Sequence, residues 1–432
     1  MIEGPFDSEY AAAARHLAER LQSLATPGPG GAPVWSGDDV DPARSTEQRV
    51  VLTHGRLDDG LLTGRTGIAT TLAACARLPG GRAEWSDLAG RALGSAVRIA
   101  LDATPEPGGI GWSSGWLGTA RAAGLVGHWT GDGALVDAGR SLAGRAVQVL
   151  ARAPEVCPDY PDLLDGWAGH LTAVLAAEVE PSLESTRDAA AAVLLERLLP
   201  FADDGSPVGG PVSWPMAGTG PAVIGLAHGG SGISCALAGA RAVGLATDEP
   251  LAALIARTVR WEEGHFRPES GGWPDLRSDA DVPGLAWCHG APGVGIAAAY
   301  RMLAGTPEGA ELTFARASRM VHAHGSPNGT ASFDGTLCHG LAGLVELHLL
   351  GAEAWPSAGR EHLAAARTLA RHLTRAGRSG PGWVCGVRGG RTPNVLTGLA
   401  GVAYTLVRCH DPALAPSLAH PGLPSRVPSP AA

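Results

Sequence analysis

Along this chain two kinds of apolar pattern alternate seven times. One is a Gly-x-x-Gly followed by an Ala/Leu-rich run that is apolar on nearly every side, as in 68–76 and 294–300. These runs begin at Gly64, Gly115, Gly166, Gly229, Gly290, Gly340 and Gly398, with spacings of 51, 51, 63, 61, 50 and 58 residues. Such a period marks a repeat architecture. The other pattern is amphipathic, with apolar positions three and four apart and charges on the opposite side, which predicts surface helices. It covers 87–102, 141–153, 187–199, 251–262, 310–322 and 360–375, and the first repeat takes its partner from 10–24. Helices apolar all round belong inside and amphipathic ones outside. An open stack of such pairs has atypical end repeats, but here the first and last inner runs resemble the middle ones. The expected fold is therefore all-α: an α/α toroid of seven inner and seven outer helices. The glycines are expected to let backbones approach where the seven helices converge on an axis.

The rest of the chain reads as connections. Segments 27–41, 200–221 and 266–283 are rich in Gly and Pro and read as loops, the last long enough to line a site entrance. No linker divides the chain, so 1–410 is expected to be one toroid domain, and 411–432, with six prolines, a mobile tail.

The position before each first glycine is polar in every repeat: Thr63, Ser114, Asp165, His228, His289, His339 and Thr397. Thr, Ser and Asp there read as helix caps. Histidine is a poorer cap, and three on consecutive repeats gather around one end of one cavity. One position earlier only repeats five and six carry cysteine, within Trp287-Cys288-His289-Gly290-Ala291-Pro292-Gly293 and Leu337-Cys338-His339-Gly340-Leu341-Ala342-Gly343. Taken singly, each cysteine or histidine is ordinarily a core residue. Their shared phase changes that reading, because it puts both motifs at neighbouring inner-helix starts. Two thiolates, Cys288 and Cys338, with the imidazole of His339 suit a tetrahedral Zn2+ with one position open. Helix N-termini favour the thiolate form. The implied protein is a zinc enzyme acting on a thiol.

Around that triad, His228 reads as a proton-transfer group. Asp162, on the loop into the third repeat, is a candidate partner, with Asp165 competing from the capping position. His289 either completes the metal site as a fourth ligand or points into the cavity. Cys75, Cys157, Cys235, Cys385 and Cys409 share no such phase and read as structural.

Bulk properties narrow the class. A net charge of -9 without a dense basic face argues against a nucleic-acid partner. The chain has no apolar run of membrane-spanning length, and residues 1–5 lack the features of a signal peptide, so stable membrane insertion is not expected and a cytoplasmic location is. Seven cysteines without compact spacing fit a reducing compartment.

Gly-Leu-Ala-His-Gly at 225–229 and the two Cys-His-Gly motifs, in this order, resemble the lanthionine synthetase C-like family over roughly Gly60 to Arg408. That family comprises the cyclases of lanthipeptide biosynthesis and eukaryotic relatives. The resemblance implies an α/α toroid, Zn2+ held by Cys288, Cys338 and His339, and an acid/base pair in Asp162 and His228. It implies thioether formation by Michael-type addition of cysteine thiols to dehydroalanine or dehydrobutyrine in a dehydrated precursor peptide, with a dehydratase and a transporter as partners. Bacterial cyclases often carry an arginine four residues before the first zinc cysteine, where this chain has Gly284; the nearest upstream arginine is Arg277. After that cysteine some stand-alone cyclases have tyrosine, whereas this chain has His289. Alternatives are a relative that adds glutathione or another small thiol to dehydroamino acids, and a non-catalytic zinc scaffold for a modified peptide. An α/α-barrel glycoside hydrolase is more distant, since the inner-helix starts offer few paired carboxylates.

Overall fold

The computed structural model describes residues 8–40, 44–45, 51–106, 108–203, 209–215, 221–246, 248–277, 283–325, 334–378, 383, 385–386 and 391–425. Parts of the expected loops (204–208, 216–220, 278–282) and the end of the expected tail (426–432) lie outside the described residues. After α1 (Glu9–Ser23), inner and outer helices alternate as α2 (Arg65–Ala76), α3 (Ala83–Asp102), α4 (Trp116–Thr130), α5 (Gly133–Arg152), α6 (Trp167–Ala176), α7 (Glu184–Leu198), α8 (Gly230–Ala242), α9 (Asp248–Glu263), α10 (Ala291–Leu303), α11 (Ala310–His324), α12 (Leu341–Ala354), α13 (Gly359–Arg378) and α14 (Leu399–His410). Even-numbered helices form the inner ring and odd-numbered ones surround it. The α/α toroid closes where α14 packs on α1 and α2. At this seam the Tyr10 hydroxyl donates to the Arg367 carbonyl at 2.9 Å.

Burial follows the two sequence patterns. Every residue of α10 from Ala291 to Arg301 is buried, whereas α3 buries Trp85, Leu88, Ala92, Leu93 and Ala96 along one stripe. Each fully buried Leu or Val side chain contributes about 1.5–3 kcal/mol of favourable transfer free energy, so the inner ring is the hydrophobic core.

The first glycine of each Gly-x-x-Gly is itself the N-cap of its helix, with no side chain capping it. Thr63, Ser114 and Asp165 therefore stand one position outside the helix and do not act as the caps that residue type suggests. The second glycine has a steric purpose. A Cβ at Gly67, Gly118, Gly169, Gly232, Gly293, Gly343 or Gly401 would collide with the carbonyl oxygen six residues earlier, on Leu61, Trp112, Leu163, Leu226, Trp287, Leu337 or Val395. The close approach is thus between each helix and its own incoming loop, not between helices at the axis.

Two features depart from the expected layout. Segment 27–41, read as a loop, contributes strands to two small antiparallel hairpins: β1 (Thr26–Pro27) with β2 (Pro33–Val34), and β3 (Ser36–Val40) with β4 (Leu52–Arg56). Its Gly and Pro content hides strands this short. The longer hairpin leans on the last repeat, where Asp38 N–H donates to the Arg391 carbonyl at 2.7 Å. The expected mobile tail is instead packed into the ring as far as Ser425, with Ala415, Leu418, Ala419 and His420 buried. Its carbonyls receive hydrogen bonds from Arg408 Nη1 to Ala415, Arg121 Nη1 to His420, Trp287 Nε1 to Ala419 and Tyr300 OH to Gly422. Ser417 Oγ donates to Glu346, which also pairs with Arg408. Proline content suggested disorder; donors on the inner helices and on the loop into α10, invisible as a group in the sequence, supply the partners that order it.

Gly67→Ala should destabilise the protein by about 1–3 kcal/mol, the usual range for overpacking. Gly90→Ala on α3, where an added Cβ meets nothing within 4 Å, should be neutral or stabilising by about 0.5–1 kcal/mol. Urea unfolding of the two variants measures both.

Candidate metal centre

The loops entering the seven inner helices are joined in a circle. Leu62 N–H donates to Ser113 O (2.8 Å), Ala227 to Cys288 O (3.3 Å), Cys288 to Cys338 O (3.3 Å), Cys338 to Leu396 O (2.9 Å) and Leu396 to Leu62 O (2.9 Å). Between repeats two and four the circle runs one residue earlier, through Trp112 Nε1 to Leu163 O (2.7 Å) and Leu163 N–H to Ala227 O (3.0 Å). All seven loops therefore sit edge to edge on one face, and the two cysteines are adjacent members.

Cys288 and Cys338, both half-buried, are joined through the Cys288 N–H and the Cys338 carbonyl, and their sulfurs are near enough for each to shift the other's pKa. Their interaction lowers the Cys288 pKa and raises that of Cys338. Burial opposes the lowering at Cys288, and the charges of His339, Arg277 and His228 assist it. His339 Nε2 lies 3.3 Å from Asp334 Oδ2, and this hydrogen bond raises the imidazole pKa against the effect of burial. Asp334 is anchored in turn by Thr336, whose N–H and hydroxyl donate to Oδ1 at 2.8 and 2.6 Å.

His228 Nδ1 is 2.5 Å from Asp162 Oδ2. Asp162 is almost fully buried, and its Oδ1 accepts from the N–H groups of Asp165 (3.0 Å) and Gly166 (2.7 Å). Asp162, not Asp165, therefore holds the histidine; Asp165 accepts from the Ser113 and Ser114 hydroxyls. Burial pulls the His228 pKa down, but the hydrogen bond and charge of Asp162 outweigh it and the net shift is upward from 6.5. The stabilisation from this pairing is complete below that ordinary value and is lost as pH rises through the raised one.

His289 is buried beside His228, with ring centroids 5.4 Å apart. Burial, then the charges of Arg277 and His228, holds its pKa down at about 4, and Nδ1 has no hydrogen-bond partner among the described residues. Arg277 lies on the segment before Cys288, with Nε and Nη2 donating to Asp275 at 2.9 and 2.6 Å. Gly284 pairs with Trp273 through its N–H (2.9 Å), and a Cβ there would lie 2.7 Å from the His289 carbonyl. A side chain is thus crowded out at 284, while Arg277 brings positive charge toward both sulfurs.

Among the described residues, no group of three or more His, Cys, Asp or Glu side chains is gathered closely enough to hold a metal ion as placed. The two sulfurs meet, but the His339 ring is turned to Asp334. The donor chemistry nevertheless fits zinc: two paired soft sulfurs, and an imidazole on the next residue whose one nitrogen is held by a carboxylate, as metal-ligating histidines commonly are. Asp334 and Asp275 escaped the sequence reading. A usable signal existed for Asp334, which precedes Gly340 by six residues as Asp58 precedes Gly64. The remaining five cysteines are buried free thiols.

A closed ring of helix pairs that gathers two cysteines, three histidines and their carboxylates at the inner-helix starts defines an α/α toroid with a candidate metal centre. A sequence profile described as lanthionine synthetase C-like protein matches residues 55–420. The chain belongs to that family. Among solved structures it resembles one described as nisin cyclase, with a TM-score of 0.58 and 18% identity over 82% of this chain and 89% of that one; at this identity the likeness is one of fold. A search of curated protein sequences found no match. Among the described residues no helix is long and apolar enough to cross a membrane.

In metal-stripped protein near neutral pH, iodoacetamide should modify Cys288 first. Cys75 and Cys235, whose pKa values burial pushes up to about 12, should stay unmodified until the protein unfolds. Peptide mapping by mass spectrometry reads the order.

Proposed function

We propose that this protein is a zinc-dependent lanthipeptide cyclase, closing thioether rings by adding cysteine thiols of a precursor peptide to dehydroalanine or dehydrobutyrine. The observation that carries the reading is the adjacency of Cys288 and Cys338, on neighbouring repeats joined Cys288 N–H to Cys338 O, beside a histidine held by a buried carboxylate. In this reading Cys288, Cys338 and His339 hold Zn2+, with Asp334 orienting His339. When bound, zinc supplies a site that holds an incoming thiol and lowers its pKa so that it is nucleophilic at neutral pH.

The chain's own residues perform the rest. Arg277 adds positive charge beside the sulfurs and is the candidate for stabilising the negative charge that develops on the substrate carbonyl, the task of an oxyanion-stabilising group. The substrate thiol loses its proton to solvent, its sulfur bonds to the β-carbon, and the double-bond electrons move toward the carbonyl. His228, with Nδ1 engaged by Asp162, presents Nε2; its raised pKa keeps it protonated closer to neutrality, and it delivers that proton to the α-carbon. Water later restores the proton to His228, so the sum is addition of S–H across C=C. His289, uncharged at neutral pH because of its burial, flanks His228 without adding a competing positive charge. A substrate of this kind requires a dehydratase acting earlier, and export of the product a transporter; the cytoplasm is the fitting location.

Cys338→Ala should lose stoichiometric zinc as measured by atomic emission, and near-full metal content would remove the triad. His228→Ala should keep zinc but slow ring closure on the order of 100-fold. The deciding assay incubates a dehydrated, cysteine-containing peptide with the protein and then alkylates free thiols: labelling should fall as rings close, and undiminished labelling would rule out cyclisation.

A further inference from the structure

The seven inner helices begin on glycines that no side chain of their own caps, yet the start of α8 is held by a carboxylate from outside. Glu262, on outer helix α9, reaches inward and is 3% exposed. Its Oε1 accepts from Ser231 N–H at 2.8 Å and from Gly225 N–H at 3.4 Å, and its Oε2 accepts from the Ser231 hydroxyl at 2.5 Å. Gly225 and Ser231 lie three residues before and three after His228. One carboxylate therefore fastens both ends of the loop that carries this histidine.

That loop has no slack toward the cysteines. Gly225 adopts φ +124°, and a Cβ there would strike the Cys288 carbonyl and the His289 Cα. Ala227 N–H donates to the same Cys288 carbonyl. A shift of the loop thus moves His228 relative to Cys288 directly. Asp162 fixes the orientation of the imidazole, and Leu163 after it gives its N–H to the Ala227 carbonyl at 3.0 Å, so the third repeat braces the middle of the loop while Glu262 holds its two ends. Burying a carboxylate is costly unless it is well hydrogen-bonded, and burial pushes the Glu262 pKa up to about 7 despite its three donors. A local Ser or Asp cap would be the ordinary solution for a helix start. It is unavailable here, because a Cβ at Gly229 would lie 2.6 Å from the backbone of Gly225. Behind the loop, buried Arg301 on α10 donates to Ser234 Oγ at 3.1 Å and places a positive charge on the Glu262 side of α8.

We propose that Glu262 is a positioning residue for His228: it anchors the 225–231 loop from the outer wall and so sets the histidine's place against both Asp162 and Cys288. In its catalytic consequence this rests on the cyclase reading above, but its structural content can be read separately. The test compares Glu262→Ala and Glu262→Gln by NMR titration of the His228 ring in substrate-free protein, together with zinc content, thermal midpoint and ring-closure kinetics. In Glu262→Ala the His228 titration midpoint should fall toward the ordinary imidazole value as the ring leaves Asp162. Its kcat should drop about 10-fold or more with little change in KM, the cost of a slightly misplaced group, while zinc is retained. Glu262→Gln, which keeps an oxygen for the two N–H groups, should recover most of both properties. An unchanged His228 titration in folded Glu262→Ala, or a Gln variant as impaired as Ala, would overturn the proposal. Should the Ala variant fail to fold, Ser231→Ala removes one anchor alone: a partial shift in the same direction supports the assignment, and no shift overturns it. Because the titration uses no substrate, the expected shift in a protein that closes no rings would leave the positioning intact and reject the cyclase reading instead.

Discussion

The structure depends on a circle of hydrogen bonds that passes from loop to loop around the mouth of the toroid. Each loop gives an N–H to its neighbour and receives one in turn, so buried backbone groups that would otherwise lack partners are satisfied between repeats. The circle returns from Leu396 to Leu62, which is why the ring closes instead of ending in two exposed edges. It also sets the site: adjacency of Cys288 and Cys338 is a backbone property before it is a side-chain one. Glycine makes this packing possible, since any larger residue at the second glycine would push a helix off its own loop.

All seven inner helices present their N-termini to this one face. Their partial positive charges converge there, and the acidic groups that matter are found beside them. Asp162 takes the N–H of Gly166, Asp334 lies against Gly340, and Glu262 takes the N–H of Ser231. Two of these carboxylates also hold a histidine of the centre, and the third holds a histidine's loop. At the sulfur pair it is Cys288 whose pKa is lowered, while that of Cys338 is raised. By contrast, Cys75 and Cys235 lie inside their helices, away from these ends, where burial keeps them protonated.

The C-terminal segment supplies the opposite kind of support. Arg408, Tyr300 and Leu175 engage it from late positions on their helices, filling the middle of the ring beneath the site. Trp287 connects this packing to the centre, because its indole N–H reaches the Ala419 carbonyl while the next residue is Cys288. The segment is thus part of the toroid's interior.

Much of the architecture was legible because repetition amplifies weak local signals. The seven inner starts at Gly64 through Gly398 coincide with the observed helix N-caps, and the phase of His228, His289 and His339 put them on one face. The short strands before Gly64 were not legible, since a residue such as Gly37 is dictated by its close approach to Thr392 and Pro393 in the last repeat. Nor was the fate of the proline-rich segment, whose partners are scattered from Arg121 to Arg408.

What the sequence determined by itself is whatever follows from periodicity: helix number, inner and outer assignment, and the common end at which the reactive side chains collect. What only the tertiary structure decided is which partner each of those side chains takes. Asp162 for His228 and Glu262 for the His228 loop join different loops, or loop and outer wall, at separations that local pattern does not encode; Asp334 reaches His339 within one loop, and there the fold decides only which way the ring turns. A hydrogen bond requires atoms within about 3 Å, and that precision comes from the packing of whole helices.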